Sequence, residues 1–141
     1  MITRDWNEEL GMAQCVINDT SNGVMLVGYG RAVCCDEDEK YKSKITGYYI
    51  AETRARIDIM CKKRDYELRP AIMALEHVLA TMEHSTKYDP NSYEAKRIRK
   101  ELKNLKNDLH IVRSIITDEK NALKTYLEQK DAIYRKLDET N

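Results

Sequence analysis

Ile98, Leu102, Leu105, Leu109, Val112, Ile116, Glu119, Leu123, Tyr126, Lys130, Ile133 and Leu137 follow one another in a four-three step, and all but Glu119 and Lys130 are apolar or Tyr. No Gly or Pro falls between Asn91 and Asn141. A repeat of this kind specifies one long helix whose apolar seam must be covered by another helix. At about 1.5 Å per residue a helix over 90–140 would span roughly 70 Å. The polar members Glu119 and Lys130 have two open readings. They fix register in a contact with a second chain, or they sit where the helix is exposed.

Upstream, Ile50, Ile57, Cys61, Leu68, Ile72, Leu75, Leu79 and Met82 recur at helical spacings with one slip between Leu68 and Ile72. Pro70 inside this run predicts a kink, or a new helix starting near Arg69. The expected helical region is 46–86. Asp89-Pro90 and the capping-box-like pair Asn91 and Glu94 predict the start of the long helix. Because the last helix is the longer, part of its seam is left over, and a second copy of the chain is the expected cover.

The first quarter reads differently. Met12 to Ile17 and Gly23 to Cys35 have strand character, and the turn cluster from Asn18 to Gly23 ends in Asn-Gly, a hairpin signal. Residues 10–35 are therefore expected to form a β-hairpin. Gly28 and Gly30 in its second strand indicate a bulge, the simpler expectation, or the close approach of another backbone or a ligand. Asp36 to Ser43 is expected to be a charged loop. The fold class is thus α+β and mostly α. An N-terminal β-hairpin precedes two long antiparallel helices, a coiled-coil hairpin that oligomerises through its helices. All 141 residues form one domain.

Composition narrows the function. The 24 basic and 24 acidic residues cancel, which argues against nucleic-acid binding driven by bulk charge. No apolar run approaches the roughly 18 residues of a membrane span, and Met1 to Leu10 lacks a secretory apolar segment. A cytoplasmic protein is expected. Cys15, Cys34, Cys35 and Cys61 contain no C-x-x-C spacing, and are expected to be reduced, mostly buried thiols.

Catalytic signatures are hard to find. His77 and His84 share a helix face, yet their spacing of about 10 Å is too long for one ion without further ligands. His110 stands apart on the long helix. Gly28-x-Gly30 leads into more strand and not into a helix, as a phosphate loop requires. Asp36-Glu37-Asp38-Glu39 lacks the alternation and central Gly of a calcium loop. The chain is read as non-enzymatic, with no metal or cofactor.

Binding chemistry is better represented. Tyr48 and Tyr49 lie beside Arg54 and Arg56, and His84, Tyr88, Asn91, Tyr93 and Arg97 cluster at the turn between helices. Tyr stacks on bases, Arg holds phosphate in a fork, and Asn pairs with an adenine edge. These nine residues are the candidate ligand site. The competing reading is a helix turn wrapped by its own tyrosines, with arginine stems lying over the core.

Gly28-Tyr-Gly-Arg-Ala-Val-Cys34, the acidic segment, and Gly47-Tyr-Tyr-Ile-Ala-Glu-Thr-Arg-Ala55 resemble a module of small phage-encoded proteins. There a strand ending G-x-A-x-C precedes a charged loop and a helix starting G-x-x-I-A-x-x-R-A. The layout is similar to that of the phage anti-Thoeris signal-sponge family, an antiparallel sheet with long helices interlocked in a dimer. That resemblance, one of layout, implies a homo-oligomer that sequesters a cyclic nucleotide immune signal between subunits without cleaving it, in the host cytoplasm. With no Phe in the chain, Tyr would take the stacking role. The alternative is an interaction module or inhibitor that binds a host defence protein through an exposed helix face.

Overall fold

The computed structural model describes residues 1–20 and 23–140, with the backbone alone at positions 36 and 37. The chain is α+β and mostly helical, with an antiparallel sheet at its N-terminus. The sheet has three strands, β1 (Ile2–Asn7), β2 (Met12–Asp19) and β3 (Leu26–Val33), in the order β1-β2-β3. The expected hairpin is therefore extended by a strand from the polar N-terminal segment. β1 was hidden in the sequence because Thr3, Asp5 and Asn7 are polar, although they alternate with Ile2, Arg4 and Trp6 as an edge strand requires. The tip of the predicted β2–β3 turn, Ser21 and Asn22, lies outside the described residues.

No bulge marks Gly28 or Gly30. They pair one to one with Ile17 and Cys15. Their purpose is close approach. β3 presents Leu26, Gly28, Gly30 and Ala32 inward and Val27, Tyr29, Arg31 and Val33 outward. Helix α1 (Lys44–Lys62) lies on the inward face. A Cβ at Gly30 would stand 1.9 Å from the Ala51 carbonyl oxygen, and one at Gly28 would stand 2.5 Å from that of Ala55. Glycine on the strand and alanine on the helix let two backbones meet. The core around this contact is built from small side chains, Ala13, Cys15, Ala32, Ala51 and Ala55, closed by Ile50 and Leu123.

Residues Asp36–Tyr41 form a 3₁₀ helix and not an open loop. α1 starts at Lys44, and the Ser43 hydroxyl caps it by accepting the Thr46 N–H at 3.2 Å. The helix then widens into a π-helical turn, Lys63–Leu68, and continues as α2 (Arg69–Glu83). Pro70 explains the turn. Having no N–H, it leaves one carbonyl of the preceding turn without its donor, and the Arg69 N–H reaches back five residues to the Arg64 carbonyl. The slip between Leu68 and Ile72 in the sequence is this extra residue.

The last helix, α3, runs over Tyr93–Thr140. Its cap is Ser92, whose hydroxyl accepts the Ala95 N–H at 3.2 Å, and not Asp89 or Asn91. Asp89 instead closes the preceding turn by accepting the Asn91 N–H at 2.9 Å. No helix among the described residues is long and apolar enough to cross a membrane.

The chain divides into two compact units, Met1–Met60 with Ile115–Asn141, and Cys61–Ser114. In the second unit Ile72, Ala95, Ile98, Leu102 and Val112 are buried, and Lys106 of α3 pairs with Glu76 of α2 at 3.7 Å. In the first unit the seam is buried at Ile116 and Leu123 but opens at Ile133 and Leu137, which are 57% and 42% exposed. Past Lys130 the inward positions shift by one residue to Tyr134, so the four-three step does not hold to the end of α3.

Candidate functional site

In the first unit, α1 and the C-terminal part of α3 run antiparallel. Arg56 meets Glu119 at 3.2 Å, and the rings of Tyr49 and Tyr126 lie 4.3 Å apart one step further along. Two clefts open in the groove between the helices. One, of about 460 Å³, is lined by Tyr49, Arg56, Ile115, Asp118, Glu119 and Ala122. The other, of about 210 Å³, is lined by Thr46, Tyr126, Gln129, Lys130, Ile133 and Tyr134. The Tyr49–Tyr126 pair stands between them. On the α3 side the lining includes Ile115, Glu119, Ala122, Tyr126, Gln129 and Ile133, themselves a four-three stripe. It shares some members with the seam and adds Ile115, Ala122 and Gln129 beside it. Sequence reasoning missed these three, because one stripe was read and its neighbour was not.

A smaller cavity, about 140 Å³, sits where the end of β3 meets the start of α1 and the end of α3. Trp6, Tyr41 and Tyr134 supply aromatic walls, and Lys42, Arg54 and Lys130 supply cations. Most of the charge is already used. Lys130 bonds Asp38 at 3.2 Å and Asp131 at 3.1 Å, and its ammonium lies 4.8 Å from the centre of the Tyr134 ring. Burial opposes that charge, but the hydrogen bonds to Asp131 and Asp38 outweigh it and hold the pKa above the ordinary lysine value. Lys42 donates to the Glu8 carbonyl at 2.7 Å. Tyr41 stacks on Tyr134 at 4.7 Å and donates to Asp138 at 2.8 Å. Cys34 lines the cavity, and burial pushes its thiol up.

The nine candidate residues fall into both units. Tyr48, Tyr49, Arg54 and Arg56 are in the first. Tyr48 meets Trp6 edge-on with centroids 6.5 Å apart. Arg54 donates to the Arg31 carbonyl of β3 at 2.7 Å. Arg56 bonds Glu119 and the Thr53 hydroxyl and pairs with Glu52 at 3.4 Å. Tyr49 and Arg56 line the groove, and Arg54 lines the small cavity. His84, Tyr88, Asn91, Tyr93 and Arg97 are in the second unit and line none of these three spaces. His84 ends α2 with its backbone N–H on the Ala80 carbonyl at 3.2 Å. The Tyr88 hydroxyl accepts from Arg99, a residue outside the candidate set. Tyr93 is 79% exposed, and Asn91 and Arg97 are also exposed.

Glu119 and Lys130 do not sit where the helix is exposed. Both are half-buried, and both form ion pairs inside the chain, with Arg56 and Asp38. The cysteines carry free thiols. Cys15 is buried, Cys34 and Cys61 are half-buried and Cys35 is exposed, so burial is less general than expected. Among the described residues no cluster of three or more His, Cys, Asp or Glu is placed to hold a metal ion. No protein-family model matches the chain, and neither a curated protein nor a solved structure matches it.

Proposed function

We propose that this protein works by occupying a partner protein, and that the α1–α3 groove is its binding surface. It would take one amphipathic helix. The observation that carries this reading is the contrast between the charged and the apolar side chains of the first unit. Arg54, Arg56 and Lys130, the residues fitted to grip an anion, are committed to Arg31, Glu119 and Asp38. Tyr49, Ile115 and Ile133, at the groove, remain 39%, 38% and 57% exposed. Apolar anchors spaced along a groove fit residues one helical turn apart on a docking helix. Asp118, exposed at one end, favours a Lys or Arg on that helix. A phage anti-defence inhibitor that blocks a host protein is the biological form of this reading. A homo-oligomer formed through the open end of the α3 seam is compatible with it.

Sequestration of a cyclic nucleotide is the second reading, favoured by the aromatic and cationic lining of the small cavity. Its volume of about 140 Å³ holds a single base or phosphate, whereas ligand pockets usually run to at least about 300 Å³. A whole nucleotide would need walls from a second subunit.

Affinity capture from expressing cells, followed by groove substitution, separates the two. Ile115→Arg and Ile133→Arg are each expected to lose a stoichiometric protein partner that Tyr66→Arg, on the exposed π turn, retains. Retention by both groove variants would reject the groove. A rise in melting temperature with a cyclic nucleotide, recovered intact after denaturation, would favour sequestration.

A further inference from the structure

We infer that the outer face of the three-stranded sheet is a self-association surface that stacks on the same face of a second copy. α1 covers the inner face only. The outer face carries Val27, Tyr29 and Val33 of β3, which are 37%, 45% and 56% exposed, beside half-buried Met12 and Val16 of β2. An open apolar sheet face of this kind is a place for another layer.

The pairing register identifies the occupant. Asp5 lies opposite Gln14, and Gln14 lies opposite Arg31, so an acid, an amide and a base form one row across the sheet. Asp5 and Arg31 stand two strand spacings apart, about 10 Å, too far for a strong pair in water. A second sheet related by a two-fold axis that runs along β2 and passes over Gln14 changes this. It sets β1 of one copy over β3 of the other. Asp5 then faces Arg31 of the second copy, the reverse pair forms at the other end, and the two Gln14 amides meet on the axis as donor and acceptor. Val16 and Met12 meet their own counterparts, and Tyr29 covers Thr3. An axis across the strands would place Asp5 on Asp5 and Arg31 on Arg31, which like charge disfavours. The charge row therefore selects one isologous arrangement.

The edge of β3 supports a face contact over strand addition. Asp58 accepts the outward Tyr29 N–H at 2.9 Å, and Arg54 donates to the Arg31 carbonyl at 2.7 Å. An incoming strand would have to displace both. The face is small. Strands about 3.3 Å per residue long and about 4.8 Å apart give roughly 300 to 350 Å² in plan, against about 800 Å² per partner in a standard interface. The dimer is accordingly weak and depends on concentration.

Sedimentation velocity over a concentration series tests this directly. The intact chain is expected to show a monomer–dimer equilibrium. Asp5→Lys alone and Arg31→Glu alone should each weaken it by roughly tenfold or more, through loss of two ion pairs and gain of two repulsions. The double reversal should restore it, which a merely structural role for either residue would not produce. If a charge reversal fails to fold, Val16→Lys near the axis should abolish the dimer in a chain with unchanged melting temperature. A protein that stays monomeric throughout the series, single variants that dimerise like the parent, or a double variant that does not recover would each overturn the inference.

Discussion

The Asp58 carboxylate of α1 accepts the backbone N–H of Tyr29 at 2.9 Å. One turn earlier, Arg54 donates to the Arg31 carbonyl at 2.7 Å. The helix that covers the sheet thus also closes its edge. An unpaired edge strand invites pairing with another chain, and charged side chains over its backbone groups prevent that.

Asp58→Ala should leave the Tyr29 N–H to solvent and cost about 1.5 kcal/mol, the low end for a hydrogen bond to a charged acceptor, because the site is exposed. Urea midpoints would give the stability change. Light scattering at raised concentration should show more aggregation than for the parent chain.

The glycines of β3 should be far less tolerant than the turn glycine. Gly30→Ala puts a methyl group 1.9 Å from the Ala51 carbonyl oxygen, a rigid backbone atom. α1 must lift off the sheet, at a cost of about 3 kcal/mol or more. Gly23→Ala meets nothing within 4 Å and has only its positive φ of 76° to lose, which costs about 1 kcal/mol. Thermal denaturation of the two variants would rank them, and equal effects would contradict the close backbone contact.

Arg4, Glu52, Arg56 and Glu119 alternate in charge from β1 through α1 to α3, with successive pairs at 2.9, 3.4 and 3.2 Å. Glu52 is the shared acceptor. Glu52→Gln should destabilise by about 1 kcal/mol, more than one exposed pair contributes. The difference from the parent should shrink in concentrated salt, which screens charge. A loss that does not vary with salt would mean that packing dominates.

Acid should act through Asp138. The hydrogen bond from Lys40, at 2.5 Å, and that from the Tyr41 hydroxyl, at 2.8 Å, hold its carboxyl below the ordinary carboxylate range. A depressed folded pKa contributes stability above the unfolded value, and that contribution is lost as the pH falls through the folded value. Asp138→Asn should therefore differ from the parent near pH 7 and converge with it as the pH falls below the ordinary carboxylate range. Cys34 acts at the other end. Burial raises its pKa, so the folded chain should lose stability above about pH 8.5, where the unfolded thiol ionises. Cys34→Ser should remove that part of the alkaline loss.

Much of the helical layout could be read from residue order. The four-three step over Ile98 to Leu137 and the absence of Gly and Pro are local properties, and they predict α3 to within a few residues of its observed start. The slip at Leu68–Ile72 together with Pro70 located the π turn as an irregularity, though not its kind, because a kink and a widened turn share the same pattern. β1 was not legible. Its pairing with β2 is non-local, and an edge strand with a polar outer face carries little hydrophobic signal.

The candidate site was legible in part. Tyr49 and Arg56 do line a groove, but the sequence offered Arg54 and Arg56 as cations without saying whether a fold partner already held them. Sequence alone determined the long helical regions and the apolar seam of α3 as far as Leu123, because periodicity depends on near neighbours along the chain. Only the tertiary structure decided that Gly28 and Gly30 admit a helix backbone, that Arg54 and Asp58 close the β3 edge, and that Asp5, Gln14 and Arg31 stand in one row. Each of those relations joins residues far apart in sequence, and a distance in space is fixed only when the strands and helices are packed.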